Sequence, residues 1–412
     1  MKIARHIRFT IALLAGIILT GCGEDRTKEY MEMTKENQWI YSTMKEVYMW
    51  RDEIKQPEHN QFFGTTSKFF SSLLHRDDKV SYFTDTLQSA SYGISYTLMR
   101  DPIAEQPSKV YALALFVEPG SPAEIAGIER GTWISAIDGK ALSISKTDVL
   151  KSGGQIKLTT EYIDYNDEEM RYRWQPSDTL TMHDATETAT CNIILDTIYD
   201  IRDRKAGYIL CNNFDGDDFV RKAEDIFQDF TAGGVTDIIL DLRYNNGGSI
   251  ENAAMLASAL VPSELHGKPF AILGKSDEKE DTVYNYMTND IMNQGDKRLY
   301  FITGNYTCGT AELFISSIDN SRNMYDVLTV GVNTKSDNII VKSIKSPFGF
   351  TINPATAFMY TSQGKMIPTE GLKADYQLNE LGQITHVYPL GTEQEYLLYN
   401  TLHLIVNGTL PQ

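Results

Sequence analysis

One stretch, residues 235–259, constrains the fold of this chain more than any other. It opens with a nearly continuous apolar run, which is typical of a β-strand covered on both faces: Ile238, Ile239, Leu240 and Leu242. The run breaks at Asn-Asn-Gly-Gly, residues 245–248, and a helical repeat of apolar residues follows from Ile250. Such a strand, glycine turn and helix start direct backbone amides at one place, where they bind anions or stabilise an oxyanion. An ordinary strand-to-helix turn without a ligand is the alternative.

The same turn carries a family resemblance. Residues 241–248 read Asp-Leu-Arg-Tyr-Asn-Asn-Gly-Gly, which resembles the D-L-R-x-N-x-G-G motif of the C-terminal processing peptidases, also called tail-specific proteases. The resemblance implies endoproteolysis near protein C-termini by a serine nucleophile and a lysine base, with an oxyanion held by backbone amides. A lysine acts as a base only where burial or a nearby positive charge lowers its pKa. The oxyanion amides are then expected among these residues: Asn246, Gly247, Gly248 and Gly309.

The amino terminus has the features of a bacterial lipoprotein signal. A short basic segment precedes an apolar segment, residues 9–19, that is too short to span a bilayer. Residues 19–22, Leu-Thr-Gly-Cys, resemble a lipobox, in which the cysteine is lipidated and becomes the new amino terminus. A plain secretory signal with a chance cysteine is the alternative. We predict a signal peptide over residues 1–21, a lipid anchor on Cys22 and a polar tether over residues 22–35.

Charge and composition limit the partners. The formal net charge of −17 argues against nucleic acid and against an anionic membrane surface. Contact with the membrane is therefore expected only through the lipid anchor. The expected location is the bacterial cell envelope, at the outer membrane, on either its periplasmic or its surface face. The seven histidines show no metal-ligand spacing, and no phosphate loop or dinucleotide motif is present. No metal and no cofactor are expected.

Two domains are predicted before the catalytic core. Apolar and aromatic residues at helical spacing predict a helix over Glu36–Ile54 and a second helix near Ser67–Leu74, which together give a small helical domain over residues 36–86. Residues 119–139, which begin Pro-Gly-Ser-Pro-Ala and end Ile-Asp-Gly, resemble a PDZ domain of the bacterial protease type, which we place at residues 87–188.

The PDZ resemblance implies a peptide-binding loop. Tyr92, Gly93, Ile94 and Ser95 fall where PDZ domains bind a terminal carboxylate through backbone amides, while the peptide adds to the edge of the sheet. The expected partners are unfolded or C-terminal peptides of envelope proteins. A structural hairpin without a ligand is the alternative for this loop.

Strands and helices alternate from about residue 189, which predicts an α/β core over residues 189–405. By resemblance this core has the superfold of crotonase and caseinolytic peptidases. Residues 368–375 are similar to the closing G-x-x-P-D segment of the family, with Ala374 where proline is usual.

Both reacting groups of the family are absent from their expected positions. The T-x-S-A-S-E motif of the nucleophile reads Thr-Cys-Gly-Thr-Ala-Glu at residues 307–312, so that Gly309 occupies the serine position. The G-x-x-T-x-G-K motif of the base reads Gly-Val-Asn-Thr-Lys-Ser-Asp at residues 331–337. Asp337 therefore stands at the lysine position, and Lys335 is displaced by two residues.

Three interpretations remain open. The chain is a pseudoprotease that keeps the fold and binds peptides as an inactive module or scaffold, or it keeps a weak, relocated activity. In the second case Cys308 would be the nucleophile, since the amino end of a helix favours a thiolate, with Lys335 as the base and Thr310 as a weaker nucleophile. In the third, the alignment is shifted by one residue and Cys308 takes the serine position. The non-functional alternative is that Cys308 is an inert buried thiol and that Lys335 is a solvated surface lysine.

Overall fold

A computed structural model describes six ranges of the chain: residues 27–85, 90–187, 191–274, 281–288, 293–319 and 327–411. The chain divides into two compact units, residues 1–83 and 84–412. The predicted signal peptide and Cys22 lie outside the described residues. Within the described ranges, every helix is too short or too polar to cross a membrane.

The first unit is mainly helical. Its elements are helix α1 (Thr27–Val47), 3-10 turns at Arg51–Glu53 and His59–Phe63, and helix α2 (Thr66–Ser72), and strand β1 (Tyr82–Asp85) crosses its boundary with the second unit. Its core consists of buried apolar side chains from both helices, among them Ile40, Met44, Phe69 and Phe70. The side-chain amide of Asn37 donates to the carbonyls of Phe62 and Gly64, which holds α1 against the turn before α2.

The predicted tether is wrong over residues 27–35, because these residues form the first part of α1. Lysine, glutamate and methionine are frequent there, and all three have high helix propensity. The helix also ends at Val47 rather than at Ile54. Just beyond that end, the fully buried Tyr48 donates its hydroxyl to Asp78 at 2.7 Å.

The second unit begins with an antiparallel sheet in the order β2-β3-β4-β6-β7, in which β5 pairs with β4. The strands are β2 (Ile94–Arg100), β3 (Val110–Val117), β4 (Trp133–Ile137), β5 (Lys140–Ala141), β6 (Ile156–Asn166) and β7 (Arg171–Met182). The short helix α3 (Pro122–Ile125) follows β3, and its first turn is capped by the Ser121 hydroxyl, which accepts from the Glu124 amide at 3.2 Å. Strand β2 lies at one edge of this sheet.

The core of the second unit is a six-stranded sheet in the order β19-β14-β13-β10-β9-β8, with β8 antiparallel to β9 and the other neighbours parallel. The strands are β8 (Ile193–Ile201), β9 (Arg204–Cys211), β10 (Asp237–Asp241), β13 (Arg298–Thr303), β14 (Val327–Gly331) and β19 (Tyr376–Gln377). Every residue of β10 is buried, as the apolar run in the sequence predicts. This central strand carries the Asn-Asn-Gly-Gly turn at its carboxyl end.

Helices cover both faces of the six-stranded sheet. They are α4 (Phe219–Gly233), α5 (Ile250–Leu260), α6 (Thr310–Asp319) and α7 (Tyr396–Asn407). Ile238 and Leu240 of β10 pack into the apolar cluster that contains residues of α4, α5 and α6, whereas Ile239 packs into the cluster of α7. The mixed α/β architecture of the core is therefore confirmed.

Smaller elements complete the second unit. A four-stranded antiparallel sheet has the order β12-β11-β18-β15, and β16 pairs with β17 in a hairpin. The strands are β11 (Pro269–Gly274), β12 (Thr282–Asn285), β15 (Ile339–Val341), β16 (Ile344–Lys345), β17 (Phe350–Asn353) and β18 (Ala355–Thr361). A 3-10 turn at Ser263–Leu265 follows α5.

A buried charge network fixes the residues that follow β10. The guanidinium of Arg243, 1% exposed, donates to both carboxylate oxygens of Glu395 at 2.6 and 2.8 Å and to Asp241 at 2.8 Å. Burial opposes ionisation of Glu395, but the charge and hydrogen bonds of Arg243 outweigh it and lower the pKa of this carboxyl. Glu395 is also the N-cap of α7, where its carboxylate accepts from the Leu398 amide at 3.0 Å.

Arg130 extends this network to the antiparallel sheet. Its guanidinium donates to Glu380 at 3.0 Å, to Glu395 at 3.3 Å and to the Tyr244 hydroxyl at 2.7 Å. It also donates to the carbonyl of Leu115 in β3 at 2.7 Å. The antiparallel sheet and the core sheet are therefore joined by buried ionic hydrogen bonds beside the Asn-Asn-Gly-Gly turn.

Candidate active site

The turn after β10 is built by Asn245 and two glycines. Asn245 donates its side-chain amide to the Cys211 carbonyl at 3.1 Å and accepts from the Gly247 amide at 2.9 Å. Gly247 and Gly248 both have φ of 109°, a left-handed conformation that side chains rarely adopt. A Cβ on Gly248 would also lie 2.8 Å from the Phe214 amide nitrogen. The glycine pair is therefore required by the backbone, as the sequence indicates.

A second turn, residues 307–310, lies against the first. The fully buried hydroxyl of Thr307 donates to the Leu242 carbonyl at 2.7 Å, and the Cys308 amide donates to the Asn245 carbonyl at 3.1 Å. A Cβ on Gly247 would lie 3.3 Å from the Thr310 amide nitrogen. The Asn-Asn-Gly-Gly turn and the turn at residues 307–310, far apart in the sequence, are thus adjacent in space.

Gly309, at the serine position, leaves an open space. Its φ is 60°, and a Cβ placed on it would meet only the Asn246 carbonyl oxygen, at 3.9 Å. The site therefore has room for a side chain at residue 309 but no nucleophile there.

Glu312 is the centre of the site, although its sequence motif did not predict this role. Its carboxylate is fully buried and accepts from the hydroxyl of Thr334 and from the amides of Ser336 at 2.7 Å and Asp337 at 2.8 Å. It also accepts from the Gly309 amide at 3.1 Å. One side chain thus joins the turn of the missing serine to the loop of the missing lysine. The sequence feature that could have predicted this role is the glutamate at the end of the T-x-S-A-S-E motif.

In the loop of the missing lysine, Asp337 and Lys335 both lie near enough to the Cys308 thiol for their charges to affect its pKa. The Asp337 carboxylate, at the lysine position, accepts from the Ile339 amide at 3.2 Å and so caps its own loop. The displaced Lys335 is exposed, although its backbone amide donates to the Thr307 carbonyl at 3.0 Å. The backbone of Lys335 therefore contacts the second turn, while its side chain lies at the surface.

The two substitute nucleophiles are not activated. Burial raises the pKa of the Cys308 thiol to about 11, although the charge of Lys335 acts in the opposite direction. The thiolate expected at the start of α6 is therefore absent at neutral pH. The Thr310 hydroxyl donates to the Gly248 carbonyl at 2.9 Å, so it holds the two turns together rather than facing a substrate.

The raised pKa of Cys308 predicts slow alkylation. In a variant with Cys191→Ser and Cys211→Ala, iodoacetamide should modify Cys308 in the folded protein about 100-fold more slowly than in the unfolded protein near pH 8, because so little thiolate is present. The rate should keep rising up to about pH 11, the value set by burial. Mass spectrometry measures the rate. Fast modification of the folded protein near neutral pH would instead support the relocated site.

Most of the expected oxyanion amides already have partners. The amide of Asn246 donates to the Asn212 carbonyl at 3.3 Å, that of Gly247 to Asn245, and that of Gly309 to Glu312. Within the part of the chain that the structure describes, the amides of Gly248 and Thr310 have no acceptor. Thr310 was predicted as a nucleophile, but in the structure its backbone amide, rather than its hydroxyl, is available, and it could act as an oxyanion donor.

The predicted peptide-binding loop is well ordered by internal contacts. The Tyr92 amide donates to the Lys151 carbonyl at 3.1 Å, and its buried hydroxyl donates to the Gly154 carbonyl. Gly93 has φ of 74°, and its amide donates to the Ser91 hydroxyl at 2.9 Å. Ile94 and Ser95 begin the edge strand β2. The amides of Tyr92 and Gly93 are thus satisfied internally, whereas Ile94 and Ser95 pair with Val117 and Phe116 of β3 on one side and leave the outer edge of β2.

No cluster of three or more histidine, cysteine or acidic side chains in the described ranges has a geometry that would hold a metal ion.

Comparisons with known proteins agree on one family. The model of peptidase family S41 matches residues 205–378, and the model of the peptidase S41 N-terminal domain matches residues 35–82. A solved S41 protease from Bacteroides fragilis NCTC 9343 is 26% identical and has a TM-score of 0.73, with 90% of this chain and 97% of that chain covered.

Two further proteins are similar over much of the chain. The photosystem II D1 C-terminal processing protease shares the fold, with a TM-score of 0.52, 16% identity and coverage of 87% of this chain and 94% of its own. The carboxy-terminal processing protease CtpA of Bacillus subtilis (strain 168) is 23% identical over 307 residues. That match spans 72% of this chain and only 60% of CtpA.

Proposed function

The chain belongs to the C-terminal processing peptidases of family S41, and from this membership we propose that it is an inactive member that binds peptides without cleaving them. One observation carries the proposal: Gly309 stands at the nucleophile position, with open space before it. A glycine has no atom that can attack a peptide bond.

The neighbouring groups do not replace the missing serine. Cys308 is 6% exposed and protonated at neutral pH, and the Thr310 hydroxyl is engaged with Gly248. The exposed Lys335 is not buried among apolar groups, which is the usual way to keep a lysine neutral and basic. These features support loss of hydrolysis over a weak, relocated activity.

Peptide binding would use the edge of the antiparallel sheet, which we propose is a PDZ domain. Among the described residues, strand β2 pairs only with β3 and so lies at the edge of the sheet, and the loop from Tyr92 to Ser95 leads into it. A peptide that adds to such an edge gains main-chain hydrogen bonds, and a terminal carboxylate would be held by the amides at the start of the strand. The proposed ligands are unfolded or C-terminal peptides of envelope proteins.

The proposed location is the outer membrane of the bacterial cell envelope. The basic segment, the short apolar segment and Leu-Thr-Gly-Cys at residues 19–22 support removal of a signal peptide and lipidation of Cys22. We also propose that the α/β core has the crotonase-like superfold, since its mixed sheet carries helices on both faces.

A paired assay of cleavage and binding tests this function. The protein without its signal peptide should not cleave an unfolded reporter protein above the rate of a blank, as measured by intact mass. It should bind a dye-labelled peptide with the C-terminal sequence of that reporter, as measured by fluorescence anisotropy. Amidation of the terminal carboxylate should weaken binding about tenfold or more, because a charged hydrogen bond is lost.

Two variants serve as controls for this assay. Cys308→Ala and Lys335→Ala should leave both the absence of cleavage and the binding unchanged. Cleavage that either substitution abolishes would show that the relocated site is active. Equal affinity for the free and the amidated peptide would overturn recognition of chain ends.

A further inference from the structure

An open groove lies in the second unit, where β7 meets the segment before α7. Its volume is about 420 Å³, and it is lined by Tyr172, Tyr388 and residues 382–386. Cavities of this size hold small molecules or parts of oligomers. The groove shares no residue with the turns around Gly309, so the peptidase-like centre does not account for it.

Aromatic rings line this groove in succession. His386 lies edge-on to Tyr172 with ring centres 6.0 Å apart, and it lies nearly parallel to Tyr388 with centres 6.2 Å apart. Tyr165, the cross-strand partner of Tyr172, lies beside the groove, with its ring centre 5.2 Å from that of Tyr172. Tyr388, which lines the groove, is 37% exposed, so its side chain is accessible to a ligand.

Apart from His386, the polar groups that line the groove carry no charge. Gln383 and Thr385 contribute an amide and a hydroxyl, and His386 contributes ring nitrogens, one of which lies 3.2 Å from the Thr385 hydroxyl. No acidic or basic side chain other than His386 is among the described residues that line the groove. An anionic ligand such as a phosphate would therefore have His386 as its one ionisable partner among the described lining residues. A ligand with many hydroxyls and apolar faces fits these side chains.

The floor of the groove is fixed before any ligand binds. The Tyr388 carbonyl accepts from Arg130 at 3.0 Å, and the His386 amide donates to the Gln383 carbonyl at 2.9 Å. Ile384 and Val387 pack against the buried aromatic cluster that contains Trp133 and Trp174. Binding therefore needs little ordering of the protein, which favours even a weakly binding ligand.

We propose that this aromatic groove binds a neutral carbohydrate. A pyranose ring carries C–H groups on one face, which would stack on Tyr388 or Tyr172, and hydroxyls at its rim, which would reach Gln383 and Thr385. The groove is open at the surface, so it can accommodate an oligosaccharide that extends beyond it. It does not enclose its ligand, as a pocket for a single monosaccharide would.

Titration with soluble oligosaccharides tests this proposal. Cellotetraose, maltotetraose and chitotetraose are each titrated into the protein without its signal peptide, and binding is followed by isothermal calorimetry and by tyrosine fluorescence. At least one of the three should give a saturable response. Tyr388→Ala and Gln383→Ala should each weaken it about five- to tenfold, because a stacking face or a hydroxyl partner is removed.

Tyr162→Ala is the matched control. Tyr162 is also an exposed tyrosine of β6, but strand alternation places it on the opposite face from Tyr165. The Tyr162→Ala substitution should leave sugar binding unchanged, and circular dichroism should show that all three variants are folded. No saturable response to any of the three sugars, or an equal loss of binding in Tyr162→Ala and Tyr388→Ala, would overturn the proposal.

Discussion

Replacing Arg243 by methionine should lower the free energy of unfolding by about 3–5 kcal/mol, since it leaves the buried carboxylate of Asp241 without a cation and that of Glu395 with only the 3.3 Å contact to Arg130. Asp241 and Glu395 are 0% and 1% exposed, and both accept hydrogen bonds from the Arg243 guanidinium. Methionine fills part of the volume but donates no hydrogen bond. Chemical denaturation followed by circular dichroism measures the loss.

The loss in Arg243→Met should depend on pH in a defined direction. The folded-state pKa of Glu395 is lowered, so its contribution is present above the unfolded value of about 4.3 and is lost as the pH falls through the folded value. The difference between wild type and variant should therefore shrink on acidification, because a protonated carboxyl no longer needs the guanidinium. A difference that stays constant with pH would contradict this account.

Arg173→Met is a matched control for Arg243→Met. Arg173 also contacts two carboxylates, those of Glu105 and Glu169, but at the protein surface. Solvent screens surface ion pairs, so this variant should unfold at nearly the wild-type denaturant concentration. Equal destabilisation by the two substitutions would show that burial of the Arg243 network is not the cause.

Replacing Glu312 by alanine should have the next largest effect, a loss of about 3 kcal/mol or more. Four donors lose their acceptor together: the Thr334 hydroxyl and the amides of Gly309, Ser336 and Asp337. Hydrogen bonds to a charged group are among the stronger ones, and a buried donor left unpaired loses its solvation as well. The loop from Thr334 to Asp337 should separate from the turn at Gly309.

Hydrogen exchange distinguishes this release from general destabilisation. In Glu312→Ala, the amides of Ser336 and Asp337 should exchange much faster than those of β10 at the centre of the sheet. Glu251→Ala is the control, because Glu251 lies in the first turn of α5, as Glu312 does in α6, but is exposed. Unchanged protection of Ser336 and Asp337 in Glu312→Ala would contradict the role of this carboxylate.

Local patterns in the sequence predicted the centre of the core. The apolar run at residues 238–242 predicts a strand covered on both faces, and β10 is one. The glycine pair predicts a turn of unusual backbone conformation, and both residues have positive φ. These features are encoded by neighbouring residues, so periodicity and residue type reveal them without knowledge of the rest of the chain.

Contacts between distant residues were not predictable in this way. Arg130 meets Glu395 across 265 positions, and Glu312 meets Asp337 across 25, with no periodic signal that pairs them. The pKa of Cys308 was expected to be low from the helix start alone, whereas burial among neighbouring residues raises it. The helical residues 27–35 were assigned to a tether because their polarity suggested exposure, although propensity favoured a helix.

The left-handed backbone at Gly309 determines what a serine at this position would cost. At φ of 60°, any residue other than glycine costs about 1–2 kcal/mol in backbone energy. Mutation from serine to glycine would relax that conformation, whereas the reverse step would strain it and gain nothing while Asp337 occupies the place of the base. Under the proposed loss of hydrolysis, a serine at residue 309 and a lysine at residue 337 would be useful only together, so a single mutation would not restore activity.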